Sequence, residues 1–446
     1  MTLNPNRRKS LLLLGADVLS VVAIFNLVTF LRGVTSQLYV WPLIAPTLVF
    51  VLSVHLIDGY GANSDMLSLD YASLHLIASL AAALATFVLT FVFIPAGFEL
   101  QSSRGAIGLS FGLLGPATLA YRRLIYSRSI VSRGRRTIVY VGSLADFEAF
   151  RLECARMKMD RPLLHVGPSE NNLEFESVLE AIATSKIQVE AIVVKESGTG
   201  LPPDVPSKLV QLYFSGVPTY TLELFHQVYW RKIPLYRINP IWLFQEGFKV
   251  AREPVFERIK RLVDIVLSVL GLVVTAPLVA LAAVAIKLDD RGAVFFSQSR
   301  IGQHKTTFRL LKLRTMHEEA GAGDLYTRTN DVRITRVGAL LRKSRLDELP
   351  QLWNVLCGQM SLIGPRAEWD RLVKEYEKEI PCYHFRHLVK PGITGWAQVN
   401  YRYGSNVEDT LRKLEYDLYY IRNFSFMLDA SIVLKTFHVM ILRKGN

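Results

Sequence analysis

Asp347 and Glu348 stand side by side in the stretch LRKSRLDELPQLWNV. Arg342, Lys343 and Arg345 come just before them, with Arg336 further back, and Pro350 just after. Two adjacent carboxylates can divide the work of moving a phosphoryl group: one attacks phosphorus as an ionised nucleophile, the other helps hold a hard cation. Neighbouring cations suit the same chemistry, because a diphosphate carries charge that repels an anionic attacker. Pro350 suits the first turn of a helix over PQLWNVL, where its missing N–H costs nothing. The positive end of that helix would favour ionised acids. The same residues also read as a helix cap with ordinary surface charges, so the pair alone leaves both readings open.

Three further blocks carry residues of the same chemical kind. In KLRTM, Lys312 and Arg314 share a face if the segment is a strand, and would either bind phosphate or face solvent. In SLIGPRAE, a Gly364-Pro365 turn presents Arg366, which can clasp a phosphate with two parallel hydrogen bonds or pair with Glu368. In KPGITGWAQVN, Gly392 and Gly395 flank Thr394 and predict a tight loop near a ligand. Trp396, Gln398 and Asn400 would contact a nucleotide or sugar there, or Trp396 would pack in the core. The three cysteines are odd in number and widely spaced, which suggests neither a disulfide framework nor a zinc site and fits a reducing compartment.

The elements that must position these residues follow from composition and periodicity. Half of the 446 residues are apolar, yet the formal net charge is +13. That combination suits hydrophobic spans joined to basic segments that face anionic headgroups or phosphorylated substrates. No nucleic-acid motif accompanies the charge, so nucleic acid is not an expected partner. Four apolar segments, about Leu11–Leu31, Val40–Ile57, Leu74–Ile94 and Ile107–Leu124, each approach the ~20 residues that cross a bilayer. Basic residues before the first (Arg7, Arg8, Lys9) and around the end of the fourth (Arg122 to Arg136) place both ends in the cytoplasm. The loop around Asp58, Asp65 and Asp70 carries no Lys or Arg. Asp17 and Asn26 inside the first span are expected to pack against neighbouring helices.

From Thr137 strand-like and helix-like segments alternate, which predicts a βαβ series and a parallel sheet. Its first turn, VYVGSLADF, lacks the G-x-G-x-x-G phosphate cradle, so a spacer or oligomerisation module is expected, with a homodimer as one outcome. A linker with Pro234, Pro240 and Pro254 leads to a long apolar run, Ile265 to Ile286, interrupted by Pro277. It reads as a fifth span or as a Pro-kinked helix that enters and leaves on one side. Arg258, Lys260 and Arg261 at one end, and Lys287 and Arg291 at the other, would then share one headgroup layer. The C-terminal segment from Glu415 reads as amphipathic helix.

Taken in order, SRIGQHKTTFRLLKLRTM, ITRVGALLRKSRLDELPQLWNVLCGQMSLIGPRAE and KPGITGWAQVN, with the apolar segment before them, resemble the bacterial sugar transferase family. Its members are polyprenyl-phosphate sugar-1-phosphate transferases, and the resemblance covers about Arg258 to Asn446. The chain departs from the family at Ala367, where proline is usual, and at Lys305-Thr306, where Gly-Lys is usual. The resemblance implies transfer of a sugar-1-phosphate from a UDP-sugar to polyprenyl phosphate, with release of UMP, as the first membrane step of exopolysaccharide, capsule or O-antigen assembly. It implies Asp347 as covalent nucleophile and Glu348 as a ligand of Mg2+. Lys312, Arg314, Arg342, Arg345, Arg366, Thr394, Gln398 and Asn400 are the expected substrate-binding residues, and Pro277 the re-entrant kink. The expected fold is a membrane protein of α plus α/β class in three parts. These are a four-helix transmembrane bundle (1–125), a Rossmann-like βαβ domain (137–250) and a helix-rich catalytic domain (255–446) anchored by the re-entrant helix (262–286). The expected location is the bacterial inner membrane, with catalysis on the cytoplasmic face. A membrane-anchored nucleotide-sugar dehydratase is the competing enzyme class and lacks its glycine-rich loop here; a non-catalytic scaffold is the third reading.

Overall fold

A computed structural model describes residues 5–33, 43–61, 66–93, 104–132, 136–167, 173–184, 187–195, 204–235, 254–317, 331, 333–401 and 406–441. Asp65, Arg133, Arg135, the linker around Pro240, and the expected span ends at Val40 and Ile94 lie outside the described residues. The chain divides into two compact units, Met1–Arg136 and Thr137–Asn446.

The first unit contains four helices among the described residues: α1 (Pro5–Leu31), α2 (Ile44–Leu56), α3 (Leu69–Phe93) and α4 (Arg104–Ser132). They pack around Val21, Phe25, Phe50, Ala82, Phe111 and Leu114. Their outward residues, among them Leu19, Phe30, Leu48, Leu80 and Leu113, are apolar and exposed, as expected of helices whose solvent is lipid. Ser10–Leu31 and Tyr71–Thr90 are long and apolar enough to cross a membrane, while Ile44–Leu56 is an apolar helix of shorter length. Asp17 is fully buried and paired with the equally buried Arg122 of α4, and Tyr121 donates to it. Asn26 donates to its own helix at Val22 O, 2.8 Å away.

The second unit begins with the expected alternation: β1 (Thr137–Val141), α5 (Leu144–Arg156), β2 (Leu163–Val166), α6 (Leu173–Ala183), β3 (Val189–Val194), α7 (Asp204–Phe214) and β4 (Thr219–Thr221). The strands form one parallel sheet in the order β2-β1-β3-β4. Ser143 caps α5 by accepting from Asp146 N, and the central strands β1 and β3 bury Ile138, Val139, Ala191 and Ile192 completely. A short helix, α8 (Leu222–Phe225), runs into a π turn at His226–Trp230.

The long apolar run forms one helix, α9 (Pro254–Asp290), and its helical structure continues through Pro277. Residues Phe256–Asp290 make a third segment long and apolar enough to cross a membrane. An antiparallel hairpin follows, β5 (Phe295–Ile301) with β6 (Thr307–Leu313). Then come α10 (Arg336–Ser344), a 3-10 turn at Leu346–Glu348, α11 (Gln351–Leu356), β7 (Ser361–Ile363), α12 (Asp370–Glu379), β8 (Gly392–Thr394), α13 (Trp396–Asn400), α14 (Val407–Arg422) and α15 (Phe426–Ile441). The main core of this part joins Tyr383, Trp396, Leu414, Leu418, Tyr420 and Ile432, and Ile233 and Leu235 from the end of the α/β part insert into it.

Candidate active site

Local sequence explains why the acid pair sits where it does. Thr335 starts α10 by accepting from Gly338 N at 2.9 Å, and Arg345 stops it by adopting a left-handed conformation (φ 59°). The chain then makes a single 3-10 turn that holds Asp347 and Glu348, and α11 begins at Gln351. Pro350 is the residue before the first helical position, one place earlier than the sequence suggests.

The two acids have different surroundings. Glu348 is gripped by cations: Lys312 Nζ lies 2.9 Å from Oε1, Arg366 Nη2 3.5 Å from Oε1, and Arg345 Nη1 3.8 Å from Oε2. Burial alone would raise its pKa, but Arg366, Lys312 and Arg345 outweigh burial and hold it down to about 2. Asp347 is buried and its Oδ1 has no hydrogen-bond partner among the described residues. Burial pushes its pKa up, and the Glu348 charge adds to this, against the pull of Lys312, Arg342 and Arg345. The expected easy ionisation of both acids therefore describes Glu348 and not Asp347. For Asp347, loss of water costs more than the short following helix returns.

Lys312 reaches the pair because β6 is pinned to α11. Asn354 accepts from Leu311 N at 2.9 Å and donates to Arg309 O at 2.8 Å. Arg366 points at Glu348, not at its sequence neighbour Glu368, which lies instead 3.8 Å from Arg300. Arg342 donates to Thr315 Oγ1 at 2.8 Å and lies within electrostatic reach of Asp347. A small cleft of about 10 Å3 separates Lys312, Arg366, Arg300, Gln351 and Gly392, room for roughly one water.

Other expected residues lie in different contacts. Arg314 follows the end of β6 and pairs with Asp290 at the end of α9, whereas Lys312 pairs with Glu348. Thr394 Oγ1 lies 2.8 Å from Thr436 Oγ1, Gln398 donates to Ile393 O at 3.2 Å, and Asn400 accepts from Lys435 at 2.9 Å. These three tie the GITGWAQVN loop to α15 and to itself. Trp396 is buried, and its indole N–H donates to Arg231 O at 2.9 Å. The glycines serve close backbone approach: a Cβ on Gly392 would collide with Gly364 N, and one on Gly395 with Gly364 O. Asn354 and Arg300 went unnoticed in the sequence. Arg300, the second residue of the block SRIGQ, lines the small cleft, and Asn354, inside PQLWNVL, pins β6 to α11, but nothing local marks either role.

The sequence profile of a family described as bacterial sugar transferase matches residues 255–443. An Aeromonas hydrophila protein named UDP-N-acetylgalactosamine-undecaprenyl-phosphate N-acetylgalactosaminephosphotransferase is 45% identical over 193 residues. These are 43% of this chain and 46% of that protein. A Xanthomonas campestris pv. campestris protein named UDP-glucose:undecaprenyl-phosphate glucose-1-phosphate transferase is 45% identical over 191 residues, 42% of this chain and 40% of the relative. The match thus spans less than half the length of these two relatives. A Bacillus subtilis protein named uncharacterized sugar transferase EpsL is 40% identical over 192 residues, which make up 89% of its length and 42% of this chain. The chain belongs to the bacterial sugar transferase family. The family region contains all of α9 but its first residue, and every residue around the acid pair.

Proposed function

We propose that this bacterial sugar transferase moves a sugar-1-phosphate from a UDP-sugar to undecaprenyl phosphate and releases UMP. The reading rests on one observation above all: a buried carboxylate with an unpartnered oxygen, Asp347, beside a carboxylate that gathers three cations. The relatives' names supply the substrate classes. Asp347 Oδ1 attacks the phosphorus that bears the sugar. The bond from that phosphorus to the UMP oxygen breaks, and the phosphosugar stays on Asp347 as an acyl phosphate. An oxygen of undecaprenyl phosphate then attacks the same phosphorus, and Asp347 leaves as free carboxylate. As the diphosphate enters, Arg366 and Arg345 exchange part of their contact with Glu348 for phosphate oxygens. Lys312 stays beside the acids as a fixed positive charge. Arg342 and Arg314 assist from the edge of the site.

Mg2+ fits this donor set. It needs only one or two protein carboxylates plus phosphate oxygens, and Glu348 is the acid held ionised. Among the described residues no cluster of three His, Cys, Asp or Glu side chains forms a cage of its own. Glu348 would hold the ion, which would neutralise phosphate charge.

The membrane arrangement is part of the same reading. Both ends of α9 touch the catalytic part. Near its start Asp264 accepts from Leu362 N at 3.1 Å, and near its end Ala282 and Ile286 pack with Leu313 and Leu341. A helix of 37 residues with both ends against one polar domain is hard to reconcile with a simple crossing. We read it as re-entrant, with Pro277 deepest, the α/β part as a separate Rossmann-like module, and the first unit as the multi-pass anchor. Asp347→Asn is expected to lower UMP release from UDP-sugars by roughly a thousandfold or more while the protein still inserts. Appreciable turnover by that variant would defeat the nucleophile assignment. A panel of UDP-sugars with undecaprenyl phosphate and Mg2+ identifies the donor.

A further inference from the structure

A second cavity, of about 370 Å3, shares no lining residue with the small cleft beside Lys312 and Arg366. Its wall includes Arg258, Arg261 and Asp264 from the start of α9, together with Ser361, Lys390 and Tyr420. Arg261 donates to the carbonyls of Val355 and Leu356 at the end of α11, so it is held in place without a carboxylate partner. Lys390 is half-buried and makes no hydrogen bond or ion pair among the described residues. The neighbouring Lys260 is already matched by Asp429 at 2.5 Å, and Asp264 accepts from Leu362 N.

The two unmatched cations converge. A Cβ built on Gly358 would stand 3.3 Å from Arg261 Nη2 and 3.8 Å from Lys390 Nζ, at a backbone φ of +82° that excludes most side chains. Like charges held this close in a partly dry wall repel, and an anion between them relieves the cost. Burial and Arg261 push the Lys390 ammonium below its usual range, against the pull of Asp264 and Glu257. Glu257 and Asp264 only partly offset Arg258, Arg261 and Lys390. Immediately along α9 from these cations, Leu262, Val263 and Val266 are exposed and apolar. A phosphate here would therefore have hydrocarbon next to it. Arginine and lysine together suit a phosphate better than a carboxylate, since the guanidinium offers a planar fork and the ammonium a mobile point charge.

We propose that this cavity binds the phosphate of a membrane phospholipid headgroup at Arg258, Arg261 and Lys390, with the acyl chains along the exposed face of α9. The site is separate from the reaction centre and would fix the depth at which the catalytic part rides on the membrane.

The test uses the full chain in a nonionic detergent, titrated with dioleoylphosphatidylglycerol or with inorganic phosphate and followed by native mass spectrometry. The lipid is expected to bind, and Lys390→Gln and Arg258→Gln are each expected to weaken it about tenfold, the loss of one charge-assisted hydrogen bond. Arg258 is exposed, so its variant keeps the test open if Lys390→Gln folds poorly. Unchanged lipid affinity in both variants would overturn the site. Equal occupancy by inorganic phosphate would overturn the lipid assignment. UMP release by Lys390→Gln without added phospholipid is expected to stay within twofold of the parent. Its collapse would give the cavity to the acceptor instead and overturn the proposal. The binding readout does not depend on turnover, so it stands apart from the test of the proposed reaction.

Discussion

At the scale of single residues, the acid pair divides its roles by solvation. Glu348 is ionised because three cations surround it, whereas Asp347 carries a raised pKa because its carboxyl is buried with one oxygen unmatched. The proposed nucleophile must be deprotonated to attack, so on that proposal kcat/KM of UMP release is expected to fall on the acid side through a pKa above the ordinary carboxylate range. An acid limb at or below that range would contradict the burial argument. Stability should respond in the opposite sense. The folded-state pKa of Asp347 lies above its unfolded value. The fold thus favours the protonated acid, and that contribution is lost as pH rises through the folded value. Asp347→Asn removes the charge and should raise the unfolding temperature at pH 8, with the gain shrinking toward pH 4. Glu348 works the other way: its depressed pKa contributes stability at neutral pH that is lost as pH falls toward about 2. Lys312→Met should raise the Glu348 pKa and weaken turnover, which a pH titration of the variant would show. As candidates these residues were legible in the sequence, because their blocks carry the right types in order. Their unequal ionisation was not, since burial depends on Asn354, β6 and α11 meeting in space.

At the scale of elements, the α/β part and the catalytic part are joined by a charge cluster that no local pattern announces. Lys232 is buried between Glu153 of α5 and Glu415 of α14, 3.2 Å from the latter, and Arg412 lies 3.3 Å from Glu153 and 3.4 Å from Glu415. Lys232 and Arg412 thus face two acids, with Arg156 at the rim 3.9 Å from Glu153. Burial and repulsion push the deeper Glu415 up, while Lys232 and Arg412 outweigh burial at Glu153 and hold it down. Ile233 N donates to Glu415 O at 3.0 Å, and Arg231 O receives the Trp396 indole, so one short segment ties α5, α13 and α14. Removing one member of a buried set leaves uncompensated charge. Lys232→Met is expected to cost about 3–5 kcal/mol of stability, measured by thermal or denaturant unfolding of the purified chain. Adding Glu415→Gln should return part of it. A loss below about 1 kcal/mol would make the junction a solvated contact. The alternation that gave the parallel sheet was readable, because strands buried on both faces leave continuous apolar runs. The junction was not, because its partners lie far apart in the chain. The same reason hid the close backbone approach around β7 and β8 that Gly364, Gly392 and Gly395 allow.

At the scale of the whole molecule, the question is which side of the membrane sees Asp347. Basic residues at the chain start and near Arg122 favour cytoplasmic ends for the first unit. A single crossing by α9 would then put the acid pair outside the cell, away from cytosolic nucleotide sugars. The contacts at both ends of α9 argue for one face instead, and so does its burial pattern: Asp264, Ser268, Ala282 and Ile286 form one buried stripe, while Val273, Val274 and Leu281 are exposed. A helix buried along one stripe and apolar elsewhere rests against its own domain and turns the remainder to lipid. The chain supplies its own probe. Cys357, at the end of α11, is exposed, whereas Cys154 is buried and Cys382 half-buried. With Cys154 and Cys382 replaced by alanine, a membrane-impermeant maleimide should leave Cys357 unmodified in intact cells and modify it readily in inverted membrane vesicles. Modification from the outside of intact cells, with a cytosolic control protein left untouched, would show that α9 crosses and would remove the re-entrant arrangement. Protection on both sides in membranes, with labelling only in detergent, would place Cys357 within the lipid and require the catalytic part to ride deeper than its basic rim allows.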